Sequence, residues 1–78
     1  MHRGKFVEIL EGIKNNFNNV SVIENFRNKA LVTIRTPAIV VESKVRQRVF
    51  RQVLDNCTNY SIRPESNELT ITLEFDLQ

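Results

Sequence analysis

Residues 69–77 read LTITLEFDL, an unbroken alternation of apolar and polar side chains. Successive side chains of a β-strand point to opposite faces, so this stretch predicts a strand with one buried face. Residues 59–63 (NYSIR) alternate in the same way, and residues 64–67 (PESN) between the two stretches are turn formers. The two stretches therefore predict an antiparallel hairpin that directs Tyr60 and Ile62 into the core.

The same pattern occurs once before in the chain. Residues 19–22 (NVSV) correspond to residues 59–62 (NYSI), and residues 30–34 (ALVTI) correspond to residues 69–73 (LTITL) once the turn is shortened by one residue. Residues 25–29 between the earlier stretches are predicted as a hairpin loop. The correspondence predicts an internal repeat.

A helical stretch precedes the first predicted hairpin. Four apolar residues recur at helical spacing along one face: Phe6, Leu10, Ile13 and Phe17. The first helix is predicted from about Gly4 to Asn18. It should stop in the asparagine cluster at residues 15–19, because asparagine tolerates the left-handed conformation of a helix cap.

A second helix is predicted from about Ser43 to Asn56, with Ser43 as its N-cap. An earlier start at Thr36-Pro37 is the alternative. However, Ile39–Val41 is a run of β-branched residues that strands prefer. Whether residues 37–42 form helix, strand or connector is left open by the sequence.

Together these elements predict one two-layer α+β domain over residues 1–78, with halves at about 4–36 and 43–78 and αββ-αββ order. Four antiparallel strands would carry both helices on one face, and Ile39–Val41 could add a fifth strand. With that strand, the opening α-β-β-β-α order is similar to a double-stranded-RNA-binding domain. The likeness is in element order alone, and the final hairpin has no counterpart in that family.

The sequence predicts no enzyme: it offers no catalytic residue, no cofactor site and no metal site. Its one histidine is His2, and its one cysteine is Cys57, in register with the apolar face of the second helix. We expect Cys57 to act as a small buried hydrophobe. Glu74 and Asp76 share a strand face, where solvated charges of an edge strand are the common explanation.

Basic residues are concentrated between residues 27 and 51, whereas residues 64–78 contain acids and no base. A basic helix face can contact phosphates, so nucleic-acid binding is the alternative function. An acidic protein partner would use the same residues. The candidate contacts are Lys44, Arg46, Arg48, Arg51, Arg27, Lys29 and Arg35.

The leading prediction is a small non-enzymatic interaction or regulatory module that binds a protein partner and forms a homo-oligomer. A free sheet edge or an exposed sheet face would supply the interface. A phage or mobile-element protein that modulates a host factor would suit this size and composition. The candidate interface residues are Ile23, Leu31, Thr33, Thr70, Thr72 and Glu74.

No membrane association is predicted, because the longest purely apolar run is residues 38–41. Residues 1–5 are basic without a following apolar region, so no signal peptide is predicted. Cytoplasmic residence is the default expectation.

Overall fold

The computed structural model describes residues 1–25, 27–37 and 44–77, and gives the backbone alone for Asn25 and residues 44–46. Its element order is α1 (Arg3–Asn16), β1 (Asn19–Asn25), β2 (Lys29–Pro37), α2 (Lys44–Asn56), β3 (Asn59–Glu65) and β4 (Glu68–Asp76). Two helices and a four-stranded antiparallel sheet confirm the predicted α+β class. The predictions for Ser43 and Ile39–Val41 lie outside the described residues.

Helix α1 buries Phe6, Ile9 and Ile13 on one face, as the helical spacing predicts. It ends at Asn16, where Phe17 turns into extended backbone and donates its N–H to the carbonyl of Ile13. The expectation of a left-handed asparagine cap is wrong, because none of the asparagines at residues 15–19 has a positive φ. Burial of the Phe17 side chain fixes the exit of the chain instead.

Helix α2 buries Val53 in the same apolar cluster that contains the buried residues of α1. Phe50 and Leu54 are half-buried against this cluster. The rings of Phe17 and Phe50 meet edge-to-face with centroids 5.2 Å apart, so an aromatic contact connects the end of α1 to α2.

The strand order is β1-β2-β4-β3, and every neighbouring pair is antiparallel. The two hairpins, β1–β2 and β3–β4, meet through the nine-residue pairing of β2 with β4. Thr33 and Thr72 are direct partners at the centre of this pairing. Among the described residues, β1 and β3 are therefore the two outer strands.

Alternate residues of β2 and β4 form the strand side of the core. Their direct pairs are Ala30 with Phe75, Val32 with Leu73, and Ile34 with Ile71. Directly opposite residues of an antiparallel pair point to the same face, so these six side chains share one face. All six are at most 1% exposed, which confirms the period-two interpretation of both strands.

Both hairpin turns use a left-handed residue that is not glycine. Asn28 has φ 58° in the first turn, and Ser66 has φ 54° in the second. The predicted turn at residues 64–67 is shorter than expected, because β3 continues through Pro64 to Glu65 and leaves Ser66 and Asn67 as the loop.

Candidate functional site

The cations predicted to contact nucleic acid or an acidic partner fall on several elements. Arg48 and Arg51 are exposed on α2, and Arg27 is exposed in the first turn. The backbone of Lys44 and Arg46 lies in the first turn of α2, and their side chains are outside the described atoms.

The two remaining cations lie on β2 and form ion pairs with acids of β4. Lys29 Nζ lies 3.3 Å from Glu74 Oε1 and 3.8 Å from Asp76 Oδ1. Arg35 Nη2 lies 3.6 Å from Glu68 Oε2. The basic and acidic segments of the sequence thus meet along β2 and β4 and partly neutralise each other. The interpretation of Glu74 and Asp76 as charges of an edge strand is wrong, because β4 lies between β2 and β3. Each pair is exposed, so we expect each to contribute only about 0–1 kcal/mol to the free energy of unfolding.

The register gathers the six predicted interface residues onto one sheet face, opposite to the core residues. Ile23 lies opposite Leu31, and Leu31 lies opposite Glu74 on its other side. The Ile23 side chain is 64% exposed and that of Leu31 is 38% exposed. The next row across the four strands consists of four hydroxyl residues: Ser21, Thr33, Thr72 and Ser61. Thr70 lies in the row beyond it.

The ladder of hydrogen bonds shows which backbone groups point outward from the sheet. Because the loop has two residues, Glu65 and Glu68 are the hydrogen-bonded pair that closes the hairpin. Hydrogen-bonded and non-hydrogen-bonded pairs then alternate, so the backbone groups of successive β4 residues point in turn to β3 and to β2. Two bonds at the far end agree with this phase. The Glu74 carbonyl accepts from the Thr58 N–H on the β3 side at 2.8 Å, and the Leu77 N–H donates to the Asn28 carbonyl on the β2 side at 2.6 Å.

The outer edge of β3 is largely blocked. In this alternation, the backbone N–H and C=O positions of Tyr60, Ile62 and Pro64 point away from β4, toward the outer edge. Pro64 has no N–H, and the Tyr60 N–H donates to Oδ1 of Asn59 at 2.9 Å. Of these three outward positions, only Ile62 has a backbone N–H without a partner among the described residues. Proline on an edge strand is a known protection against pairing with another chain.

Within residues 1–25, 27–37 and 44–77, the outer edge of β1 has no such protection. The same alternation continues through β2 to β1. There the backbone N–H and C=O groups of Val20, Val22 and Glu24 point away from β2, toward the outer edge. All three retain their N–H, and β1 contains no proline. In the part of the chain that the structure describes, one outer strand is thus protected and the other is not.

Tyr60 and Ile62 lie on the core side of the sheet, opposite Leu73 and Ile71. They are nevertheless 53% and 50% exposed, so the prediction that they enter the core is wrong. Alternation identified their face correctly, but neither helix covers that end of the face.

Beside these residues, α2 and the β3–β4 hairpin enclose a groove of about 350 Å³. Its apolar walls are Phe50, Leu54, Ile62, Leu69 and Ile71, and Arg51 and Asp55 stand at its rim. The groove was not predicted from the sequence, because the apolar alternation of β3 and β4 indicated a closed core. The available signal was that residues 63–68 (RPESNE) contain no large apolar side chain that could cover Ile62.

Cys57 is half-buried against the core after α2, and its Sγ lies 3.6 Å from the carbonyl oxygen of Leu54. Burial raises the pKa of the Cys57 thiol, although a backbone hydrogen bond opposes the shift. At neutral pH the group is a thiol that packs partly against the core. It follows α2 and is half-buried, whereas the sequence predicted a buried residue on the helix.

Within residues 1–25, 27–37 and 44–77, no cluster of three His, Cys, Asp or Glu side chains is close enough to bind a metal ion. Neither of the two described helices has the length and apolar character needed to cross a membrane. No protein-family model, curated protein or solved structure matches the chain.

Proposed function

We propose that this protein is a non-enzymatic interaction module that accepts an extended segment of a protein partner alongside β1. The observation that carries the proposal is the difference between the two outer strands. Among the described residues, β3 keeps a single outward N–H without a partner, at Ile62, whereas β1 presents the N–H groups of Val20, Val22 and Glu24. Unpaired backbone groups on a long edge are a template for strand addition.

The side chains around β1 supply specificity for such a segment. An added strand would place alternate side chains on the two faces of the sheet. On one face it would meet Ile23 and the neighbouring Leu31, which form an exposed apolar pair beside a row of hydroxyls. We therefore infer a partner segment with an apolar residue that covers Ile23 and with polar neighbours for Ser21.

We also infer that the chain is a repeated αββ unit with both helices on one sheet face. Strands β1 and β3 each have seven residues and begin 40 positions apart, at Asn19 and Asn59. The buried residues of α1 and α2 belong to the same cluster as the shared face of β2 and β4. This arrangement leaves Ile23 and Leu31 exposed on the other face, where a partner can reach them.

The test uses Val22, because its outward N–H takes no part in the β1–β2 ladder. Val22→Pro removes that N–H, and Val22→Ala is the matched control that loses similar packing and keeps the N–H. Tagged protein is used to capture partners from nuclease-treated host lysate, with circular dichroism as the check on folding. We expect wild type and V22A to retain a stoichiometric partner that V22P loses. Equal retention by V22P and V22A would show that strand addition at β1 is wrong.

Nucleic-acid binding is the second candidate, favoured by one observation. Arg48 and Arg51 are exposed on α2, and neither has an ion pair within the described residues. Arg48 lies outside the residues that line the groove, so Arg48→Glu tests this function separately. If the protein binds nucleic acid through α2, R48E weakens binding to duplex and single-stranded oligonucleotides and lowers the dependence of affinity on salt. Unchanged affinity and unchanged salt dependence in R48E would contradict nucleic-acid binding through α2.

A further inference from the structure

The groove between α2 and β3 is an apolar surface that strand addition at β1 does not use. Ile62, Leu69 and Ile71 form its floor, and Phe50 and Leu54 form the helix wall. Tyr60 extends the same surface along β3 and is 53% exposed. Apolar surface of this kind gains free energy when another apolar surface excludes water from it.

On the core side of the sheet, the side chains of the two outer strands, β1 and β3, differ in how far they are covered. Val20 and Val22 of β1 lie opposite Ile34 and Val32, and both are half-buried against the core. Ile62 of β3 has the equivalent place at the other end, opposite Ile71, and is 50% exposed. Among the described strand residues on the core side of the sheet, the large apolar side chains that stay exposed are therefore those of β3.

Charges at the rim of the groove indicate what covers it. Arg51 and Asp55 are one helical turn apart on α2, both exposed, and neither has an ion pair within residues 1–25, 27–37 and 44–77. A partner with charges of one sign would attract one of them and repel the other. A second copy matches both, because a twofold axis with antiparallel α2 helices places each Arg51 beside the Asp55 of the other copy.

We propose that the groove is a homodimer interface occupied by a second copy of this chain. The α2 helices run antiparallel across the twofold axis, with two Arg51–Asp55 contacts, and the exposed apolar side chains of both copies cover each other. The copies meet through side chains, because Pro64 and the Asn59–Tyr60 hydrogen bond leave β3 poorly suited to strand pairing. This inference does not depend on partner binding at β1.

Sedimentation velocity and light scattering of the purified protein test the interface. We expect a concentration-dependent dimer, and we expect Ile62→Glu to give a folded monomer. Leu31→Glu is the control, since Leu31 is exposed on the opposite sheet face. A wild-type protein that stays monomeric up to about 1 mM would overturn the proposal. A dimer of unchanged affinity in I62E would also overturn it.

A charge-exchange experiment tests the arrangement of the two copies. Arg51→Asp alone gives a copy with two rim acids, and Asp55→Arg alone gives a copy with two rim bases. Each variant should dimerise roughly tenfold or more weakly than wild type, because like charges then face each other twice. An equimolar mixture of R51D and D55R should recover the dimer, because every contact again joins opposite charges. Failure of the mixture to recover it would exclude the antiparallel arrangement.

Discussion

The side-chain oxygen Oδ1 of Asn59 accepts a hydrogen bond from the backbone N–H of Tyr60 at 2.9 Å. This bond occupies a donor that would otherwise face solvent along the outer edge of β3. Pro64, four residues beyond Tyr60 on the same strand, removes a second donor. A polar side chain and a proline thus protect one edge of the sheet by two different means.

Removal of both protections should open that edge. We expect Asn59→Ala combined with Pro64→Val to increase aggregation on concentration or mild heating, because three outward N–H groups then become available. Light scattering and thioflavin fluorescence measure the effect. Ser61→Ala with Arg63→Val is the matched control, because those N–H groups point toward β4. Equal aggregation of the two double variants would contradict the assignment of the protected edge.

Ser66 should be replaceable by glycine with a gain in stability. Its φ of 54° is costly for a residue with a side chain and is readily adopted by glycine. We expect S66G to raise the free energy of unfolding by about 0.5–1 kcal/mol, measured by urea denaturation. Asn28→Gly should gain less, because asparagine tolerates the left-handed region better than serine does. A loss of stability in S66G would show that the Ser66 side chain has a stabilising role.

The two faces of the sheet should respond differently to the same truncation. Leu73→Ala should lower the free energy of unfolding by about 2–5 kcal/mol, because Leu73 is fully buried and leaves a cavity. Leu31→Ala, on the opposite face, should cost less than about 1 kcal/mol. Urea or thermal unfolding of both variants measures the contrast. Similar losses would mean that the Leu31 face is also covered.

Cys57 should react slowly while the protein is folded. Its raised pKa lowers the thiolate fraction, so alkylation near about pH 8 should be slower in the folded protein than in urea. The raised pKa also makes stability depend on pH. The contribution of Cys57 to the free energy of unfolding is fully present below the pKa of the thiol in the unfolded chain, and it is lost as the pH rises through the pKa of the thiol in the folded protein. The stability difference between wild type and Cys57→Ala should therefore shrink at alkaline pH. Equal alkylation rates in the two states would contradict this account.

Local sequence patterns predicted the helices and strands well, because each depends on neighbours in the chain. The alternation in residues 69–77 placed Leu73 and Phe75 in the core, and the spacing of Phe6 and Ile13 placed the buried face of α1. The exposure of Ile62 was not predictable in this way. Alternation specifies a face, whereas coverage of that face depends on where α2 packs.

The candidate surfaces also depend on strand order, which the sequence did not specify. Ile23 and Leu31 were expected on one face, and the register makes them direct partners. The ion pairs of Lys29 with Glu74 and Asp76 required the pairing of β2 with β4. The protection of the β3 edge likewise became visible only once β3 was known to be an outer strand.

The central position of β4 has a consequence for biosynthesis. β4 is the last of the four strands in chain order, yet it joins β2 to β3 in the middle of the sheet. Until residues 68–76 leave the ribosome, Val32 and Ile34 of β2 lack their partners, and the amino-terminal hairpin lacks the core residues that β4 supplies. The nascent chain must therefore remain incompletely folded until β4 has emerged, and a chaperone would find its substrate in that interval.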